Sequence, residues 1–200
     1  MTFWNDRFNT KEYIFGEAPS QFVVRYSALL KPHSEVFLPA DGEGRNSVYL
    51  AKTGHRVSAF DFSPNAIKKA KMLAEKNDVE VDFSINDIKT YVWPDAKFDA
   101  AFGIFIQFVP PPERDHIIRN IQKSVKLGGL VFVHGYTPKQ LEYKTGGPSN
   151  IENLYTLENL STLFRDFDIL ELKEYKVALD EGAGHKGMSA LIDLVARRRV

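Results

Sequence analysis

Three turns in this chain carry residues able to hold a polar ligand. The first lies in Leu38-Pro39-Ala40-Asp41-Gly42-Glu43-Gly44-Arg45-Asn46. Its small residues sit between an apolar run and an amphipathic one, where a ligand can approach the backbone closely. Gly42-x-Gly44-x-x-Ser47 approximates the dinucleotide spacing G-x-G-x-x-G/A, with Ser in the last place. The second is Asp61, nineteen positions after Gly42 and followed by Phe62-Ser63-Pro64. A carboxylate so placed accepts hydrogen bonds from ribose hydroxyls. The third is Asn86-Asp87-Ile88, where Asp87 can accept an adenine amino group, the next N–H can donate to the ring, and Ile88 can cover its face. Each also reads as an ordinary turn, since Gly, Asn, Asp and Ser serve turns in general. What joins them is register, because each follows a short apolar run and the three would meet around one crevice.

Other chemistries are excluded by residue type. The chain has no Cys, so thiolate metal sites, disulfides and cysteine nucleophiles are absent. Its five His (His33, His55, His116, His134, His185) show no metal spacing, and no metal is expected. Of these, His134 and His185 are placed to face the crevice, with a solvated or structural imidazole as the alternative. Lys plus Arg and Asp plus Glu both count 26, so no basic footprint for a nucleic acid stands out. The most apolar stretch, Phe98 to Phe108, is far short of a membrane span, and the opening Met1-Thr2-Phe3-Trp4-Asn5-Asp6-Arg7 has no apolar leader core. A cytoplasmic protein with no nucleic-acid or membrane partner is expected.

The elements that must position these turns follow from periodicity. Two hundred residues with 44% hydrophobic content suit one domain. Residues 1–34 carry aromatics among polar residues and read as helix and loop; from Glu35 short apolar runs alternate with helical stretches, the mark of a βαβ array. Strands are expected at Val36–Pro39, His55–Phe60, Val79–Phe83, Phe98–Ile106 and Leu130–Val133. A helix from near Gly44 to Gly54 has a favoured C-terminal glycine. Ser63-Pro64 opens another with Ile67, Ala70, Leu73 and Ala74 on one face, and Pro111-Pro112-Glu113 a third with Ile117, Ile118, Ile121 and Val125 inward, closed by Gly128-Gly129. Thr156 caps a helix to about Leu163. Ile169–Leu179 and Met188–Val195, joined by the Gly-rich Gly182–Gly187, read as an antiparallel hairpin.

From Glu35 to Val195 this pattern resembles the class I S-adenosylmethionine-dependent methyltransferases. More narrowly it is similar to the small tellurite-resistance and thiopurine methyltransferase branch. The residues carrying that likeness are Trp4-x-x-Arg7-Phe8, Tyr13-x-Phe15-Gly16, the Leu38–Asn46 turn, Tyr136-Thr137-Pro138-x-Gln140, Gly146-Gly147-Pro148 and Glu181-Gly182-x-Gly184-His185-x-Gly187. The resemblance implies an α/β Rossmann-like fold: a seven-stranded, mostly parallel sheet, helices on both faces and a C-terminal antiparallel hairpin. It implies a single domain over 1–200, with 1–34 a front lid segment and 35–200 the core. S-adenosyl-L-methionine is the implied cofactor, with Tyr13, Phe15, Gly16, Ala40, Asp41, Gly42, Gly44, Arg45, Asn46, Asp61, Phe62, Ser63, Asp87, Ile88, Gly103 and Ile104 as its binding residues. Gln107, Tyr136 and His185 take the acceptor side. Trp4, Tyr13 and Phe15 are candidates to close over the sulfonium through their ring faces, the alternative being a helix packing its aromatics on the core.

Two departures from the family pattern bear on chemistry. The acid usual near the end of the first strand is Leu38 here and the first small position is Ala40, leaving Asp41 as the stand-in for an ammonium contact. Gln107 stands where many relatives carry His. The region Val109-Pro110-Pro111-Pro112-Glu113 also lacks the polar residue and stacking aromatic used for methylating amino groups of DNA bases. The expected function is therefore methyl transfer to a small molecule, a thiol or chalcogen oxyanion in this branch. The alternatives are an NAD(P)-dependent oxidoreductase using the same turn and a non-catalytic cofactor-binding module.

Overall fold

A computed structural model describes residues 2–200; Met1, at the head of the expected lid segment, lies outside the described residues. In chain order the elements are α1 (Thr2–Arg7), α2 (Gln21–Tyr26), β1 (Glu35–Pro39), α3 (Arg45–Lys52), β2 (Arg56–Asp61), α4 (Pro64–Lys76), β3 (Asp82–Ile85), β4 (Phe98–Ile104), α5 (Pro111–Ser124), β5 (Val125–Tyr136), α6 (Gln140–Tyr143), α7 (Leu157–Leu163), β6 (Phe167–Asp180) and β7 (Lys186–Arg198). Short 3-10 turns occupy Ser27–Leu29 and Ile151–Asn153. The strands form one seven-stranded sheet in the order β3-β2-β1-β4-β5-β7-β6. β1, β2 and β3 run parallel, as do β4 and β5, while β7 is antiparallel to both β5 and β6. This is the expected Rossmann-like sheet, mostly parallel, with its antiparallel C-terminal hairpin.

The chain divides into two compact units, one running to Val92 and taking in Glu181–Gly184, the other formed by Trp93–Asp180 and His185–Val200. In the first, Ser63 accepts the Ala66 amide and Pro64 stands in the first turn, so α4 starts where the sequence places it. Its inward face carries buried Ile67, Ala70, Leu73 and Ala74. Val48, Leu73 and Ala74 make a core cluster with half-buried Tyr13, Val79 and Phe83. In the second unit, Phe102 and Phe132 stack at 4.2 Å between β4 and β5. Thr156 and Asn159 exchange side-chain and backbone hydrogen bonds as a capping box at the start of α7.

Element boundaries shift from the periodic reading, and three of the shifts have a local cause. β3 begins at Asp82 because Val79 donates its amide to Ala74 O, in the turn that closes the end of α4. β4 stops at Ile104 because Phe105 adopts φ +53°, in the left-handed region. Helix α5 ends at Ser124, so Val125 is a strand residue rather than the last inward helical position; Gly128-Gly129 lie within β5 beside the register shift opposite Phe98 and Ala100. An irregularity in strand pairing looks, in sequence alone, like a helix terminus.

Candidate functional site

The turn after β1 is wound tightly by backbone conformation. Ala40, Gly42 and Gly44 adopt φ of +52°, +64° and +86°. Gly44 caps α3, and a Cβ there would lie 2.7 Å from Ala70 Cβ and 2.9 Å from Ala70 Cα, so the turn seats directly on α4. Asp41 N donates to Phe60 O at 3.1 Å and Gly42 N to Asp61 Oδ2 at 3.0 Å, tying the turn to the end of β2. Ser47, in the last place of the glycine pattern, donates from Oγ to Asp41 Oδ2 at 2.5 Å. A hydroxyl replaces the third small residue because it anchors the acid.

Two carboxyls therefore share this turn. Asp61 is buried and accepts from Ser63 N at 2.9 Å through Oδ1 as well as from Gly42 N. Burial raises its pKa, opposed by the amides of Ser63, Gly42 and Phe62, with Glu43 pushing it further up. Asp41 is pushed up to about 7, first by burial, with the Asp61 charge adding and the Ser47 hydroxyl and Arg45 guanidinium opposing. A carboxylate has about four lone-pair sites, so Asp61 retains acceptor capacity beyond its backbone partners. Ser63, besides capping α4, donates from Oγ to Asn5 Oδ1 at 2.8 Å. Asp87 accepts the Lys89 amide at 3.0 Å and its carbonyl takes the Thr90 and Tyr91 amides, a local turn that leaves Ile88 buried.

Other residues implied by the resemblance turn toward the protein. Arg45 is buried; its Nη1 donates to Phe15 O at 3.2 Å and its Nη2 to Glu181 Oε2 at 2.8 Å. Asn46 Oδ1 accepts the Ser20 amide at 2.9 Å. Tyr13 donates its hydroxyl to Lys69 O at 3.0 Å, and Gly16 closes a turn onto Tyr13 O. Glu43, which the sequence reading passed over, accepts the Ile14 amide at 2.8 Å on Oε2 and pairs through Oε1 with Lys69 Nζ at 2.7 Å. The signal for it was a charge inside a turn too compact to be solvated. Trp4, Phe8 and Phe15 form an aromatic cluster, with Trp4 stacked on Phe8 at 5.8 Å and Phe8 buried. The Arg7 guanidinium lies 5.0 Å from the Trp4 ring and 5.8 Å from that of Phe15, so the chain's own cation lies by these rings.

In the second unit, Tyr136 and His185 converge on Phe105. Its ring centroid is 4.2 Å from His185 and 4.8 Å from both Tyr136 and His134. Gly147 packs against the Tyr136 ring, and Gln140 holds this loop by donating to Thr145 Oγ1 and Gly146 O while accepting the Ala190 amide. Gln107 is buried with both ends of its amide committed to backbone: Oε1 takes Tyr136 N at 2.7 Å, and Nε2 donates to Tyr136 O at 2.8 Å and Asn153 O at 3.3 Å. It fastens the end of β5. Gly103 and Ile104, paired with Val133 and His134, close β4. His134 is a buried imidazole whose Nδ1 lies 2.8 Å from Asp193 Oδ1, which also accepts the Tyr175 hydroxyl. Asp193 was likewise missed, although an acid inside Leu191-Ile192-Asp193-Leu194-Val195 is itself a signal of a buried partner.

The residues of the first turn fit an adenosine-bearing cofactor. The backbone winds past small residues, a buried carboxylate closes β2, and an acidic turn with a buried Ile follows β3. Among the described residues there is no cluster of three or more metal-ligating side chains, and no helix is long and apolar enough to cross a membrane.

Comparison with known proteins agrees with this geometry. Residues 40–129 match the methyltransferase domain family. TehB of Haemophilus influenzae, named as a "probable S-adenosyl-L-methionine-dependent methyltransferase", is 27% identical over 93 residues, 46% of this chain and 32% of that protein. The ubiquinone biosynthesis O-methyltransferase of Coxiella burnetii is 32% identical over 92 residues, 46% of this chain and 38% of its own. The chain thus aligns with less than half the length of these curated relatives. The crystal structure of TehB from Haemophilus influenzae superposes with a TM-score of 0.75 at 21% identity, covering 98% of this chain and 66% of that one. The matched segment and the shared fold make the chain similar to the class I S-adenosylmethionine-dependent methyltransferases. Among them it resembles the TehB-like branch, and the cofactor of that class is S-adenosyl-L-methionine.

Proposed function

We propose that this protein transfers a methyl group from S-adenosyl-L-methionine to a small, polarisable acceptor, a thiol or a selenium or tellurium oxyanion. The observation that carries the reading is the turn Ala40–Gly44, whose amide at Gly42 is held by buried Asp61 at 3.0 Å. In this reading Asp61 holds the ribose hydroxyls, Asp87 the adenine amino group with Ile88 against the ring, and Asp41 the amino-acid end. When bound, the cofactor supplies a methyl group on a sulfonium that is itself a good leaving group. The chain's residues then have mainly to orient an acceptor and exclude water. Tyr136 and His185, gathered on Phe105, are the orienting groups on the acceptor side, and Gln107 is a positioning residue acting through the Tyr136 backbone.

The carboxyls that share a turn, Asp41 and Asp61, are taken up by the cofactor in this reading, and His134 is buried against Asp193, so an acceptor that arrives as an anion is favoured over a neutral hydroxyl that needs a base. The test is a panel of thiols, selenite, tellurite, phenols and amines, assayed with labelled cofactor across pH. Transfer should follow the ionised fraction of thiol or chalcogen acceptors. Activity confined to phenols or amines would reject this acceptor class, and tight NAD binding by calorimetry would reject the cofactor reading.

A further inference from the structure

We propose that the buried Arg45–Glu181 ion pair is a latch that holds the tail turn Glu181–Gly184 against the front segment Tyr13–Gly16, making both residues positioning groups for His185, which follows that turn in the chain. The inference rests on the methyl-transfer reading for its kinetic consequence, and on geometry alone for the latch itself.

The βα turn grips the front segment from two sides. Glu43 takes N–H groups, Ile14 at 2.8 Å and Phe15 at 3.4 Å, while Arg45, two residues on, donates to Phe15 O. Glu43 is in turn fixed by Lys69, whose ammonium also donates to Glu12 O at 2.7 Å and Thr10 Oγ1 at 3.1 Å. Arg45 reaches the tail turn through Glu181 Oε2, and Glu181 Oε1 accepts the Gln21 amide at 3.0 Å. The two held segments also touch directly: Gly184 N donates to Ile14 O at 2.9 Å. At Gly182 a Cβ would fall 2.4 Å from both Gly16 N and Phe15 C, so the backbones meet with no room for a side chain. The side chains of Arg45 and Glu181 are only 6% and 9% exposed. Ion pairs this buried add little net stability against apolar packing, and their best-attested use is fixing register. Here the register fixed is that of two segments far apart in sequence, and the second runs straight into His185. A front segment that lifts from the βα turn therefore releases the chain just before His185.

The test uses full-length wild type and Glu181→Gln, which keeps the side-chain volume and an oxygen for the Gln21 amide but loses the charge facing Arg45. Hydrogen–deuterium exchange should rise together in Ile14–Gly16 and Glu181–Gly184, by about tenfold or more, because the two segments open as one unit. At saturating cofactor, kcat should fall about tenfold or more through misplacement, while the Kd for S-adenosylhomocysteine shifts by less than about threefold. Gly182→Ala separates the same backbones with the ion pair's charges intact and should give the same paired signature; it also decides the matter if Glu181→Gln fails to fold. Faster exchange confined to one segment, or an unchanged kcat despite faster exchange in both, overturns the proposal. If wild type neither binds S-adenosylhomocysteine nor transfers a methyl group, the methyl-transfer reading fails, and the exchange experiment still decides the latch.

Discussion

Replacing Gly44 by Ala separates two costs that the βα turn imposes on that residue. The backbone there is at φ +86°, where an L side chain costs about 1–2 kcal/mol. The added Cβ would also stand 2.7 Å from Ala70 Cβ and 2.9 Å from Ala70 Cα, atoms fixed in α4 that cannot swing aside as the end of a long side chain can. Overpacking of this kind costs about 1–3 kcal/mol, so Gly44→Ala should destabilise by about 2–5 kcal/mol. That is a large share of the roughly 5–15 kcal/mol that holds a domain folded. Gly54→Ala is the internal control: its φ is +91°, but no atom lies within 4 Å of the new Cβ, so only the conformational cost of about 1–2 kcal/mol applies. Urea unfolding of the two variants against wild type, with circular dichroism as the probe, measures both. The double variant Gly44→Ala with Ala70→Gly should recover part of the steric loss, and that coupling identifies α4 as the obstacle. Equal destabilisation by Gly44→Ala and Gly54→Ala would refute the claim that the turn is packed against α4.

Asp61→Ala should weaken S-adenosylhomocysteine binding by about 1.5–3 kcal/mol, the range for hydrogen bonds to a charged group; calorimetry showing unchanged affinity would make Asp61 a turn residue only. Asp41, pushed up to about 7, keeps a proton in the folded chain between its ordinary value near 4 and about pH 7, so its contribution to stability declines as pH rises through that window. Asp41→Asn should flatten that decline and gain on wild type at pH 8 relative to pH 4, as read by urea midpoints; parallel profiles would contradict it. Gln107→Ala strips hydrogen bonds from Tyr136 N, Tyr136 O and Asn153 O and should cost at least about 2 kcal/mol, given about 1–3 kcal/mol per buried group left unsatisfied. A loss under about 0.5 kcal/mol would show that this fastening is not needed.

Much of this architecture is legible from local chemistry. Ser63-Pro64 and Thr156 mark helix starts because a capping hydroxyl and a preset φ act within one turn of chain. The apolar run Phe98–Ile106 declares the buried parallel strand β4, and Gly42, Gly44 and Asp61 declare the tight turn after β1 because backbone winding and a strand-end acid are local features. Such signals reach only a few residues. Where the outcome hung on what a residue would meet from elsewhere in the chain, they misled or fell silent: Gly128-Gly129 read as a helix end and belong to β5, and nothing near Gln107 in sequence announces its bonds to the Tyr136 backbone. Glu43, Arg45 and Glu181 show the same limit most plainly. Their charges are visible in the sequence, but a charge acquires its meaning from its partner. Lys69 and Glu181 reach the βα turn only after α4 and the β6–β7 hairpin have folded back across long stretches of chain, and that return is a property of the packed molecule.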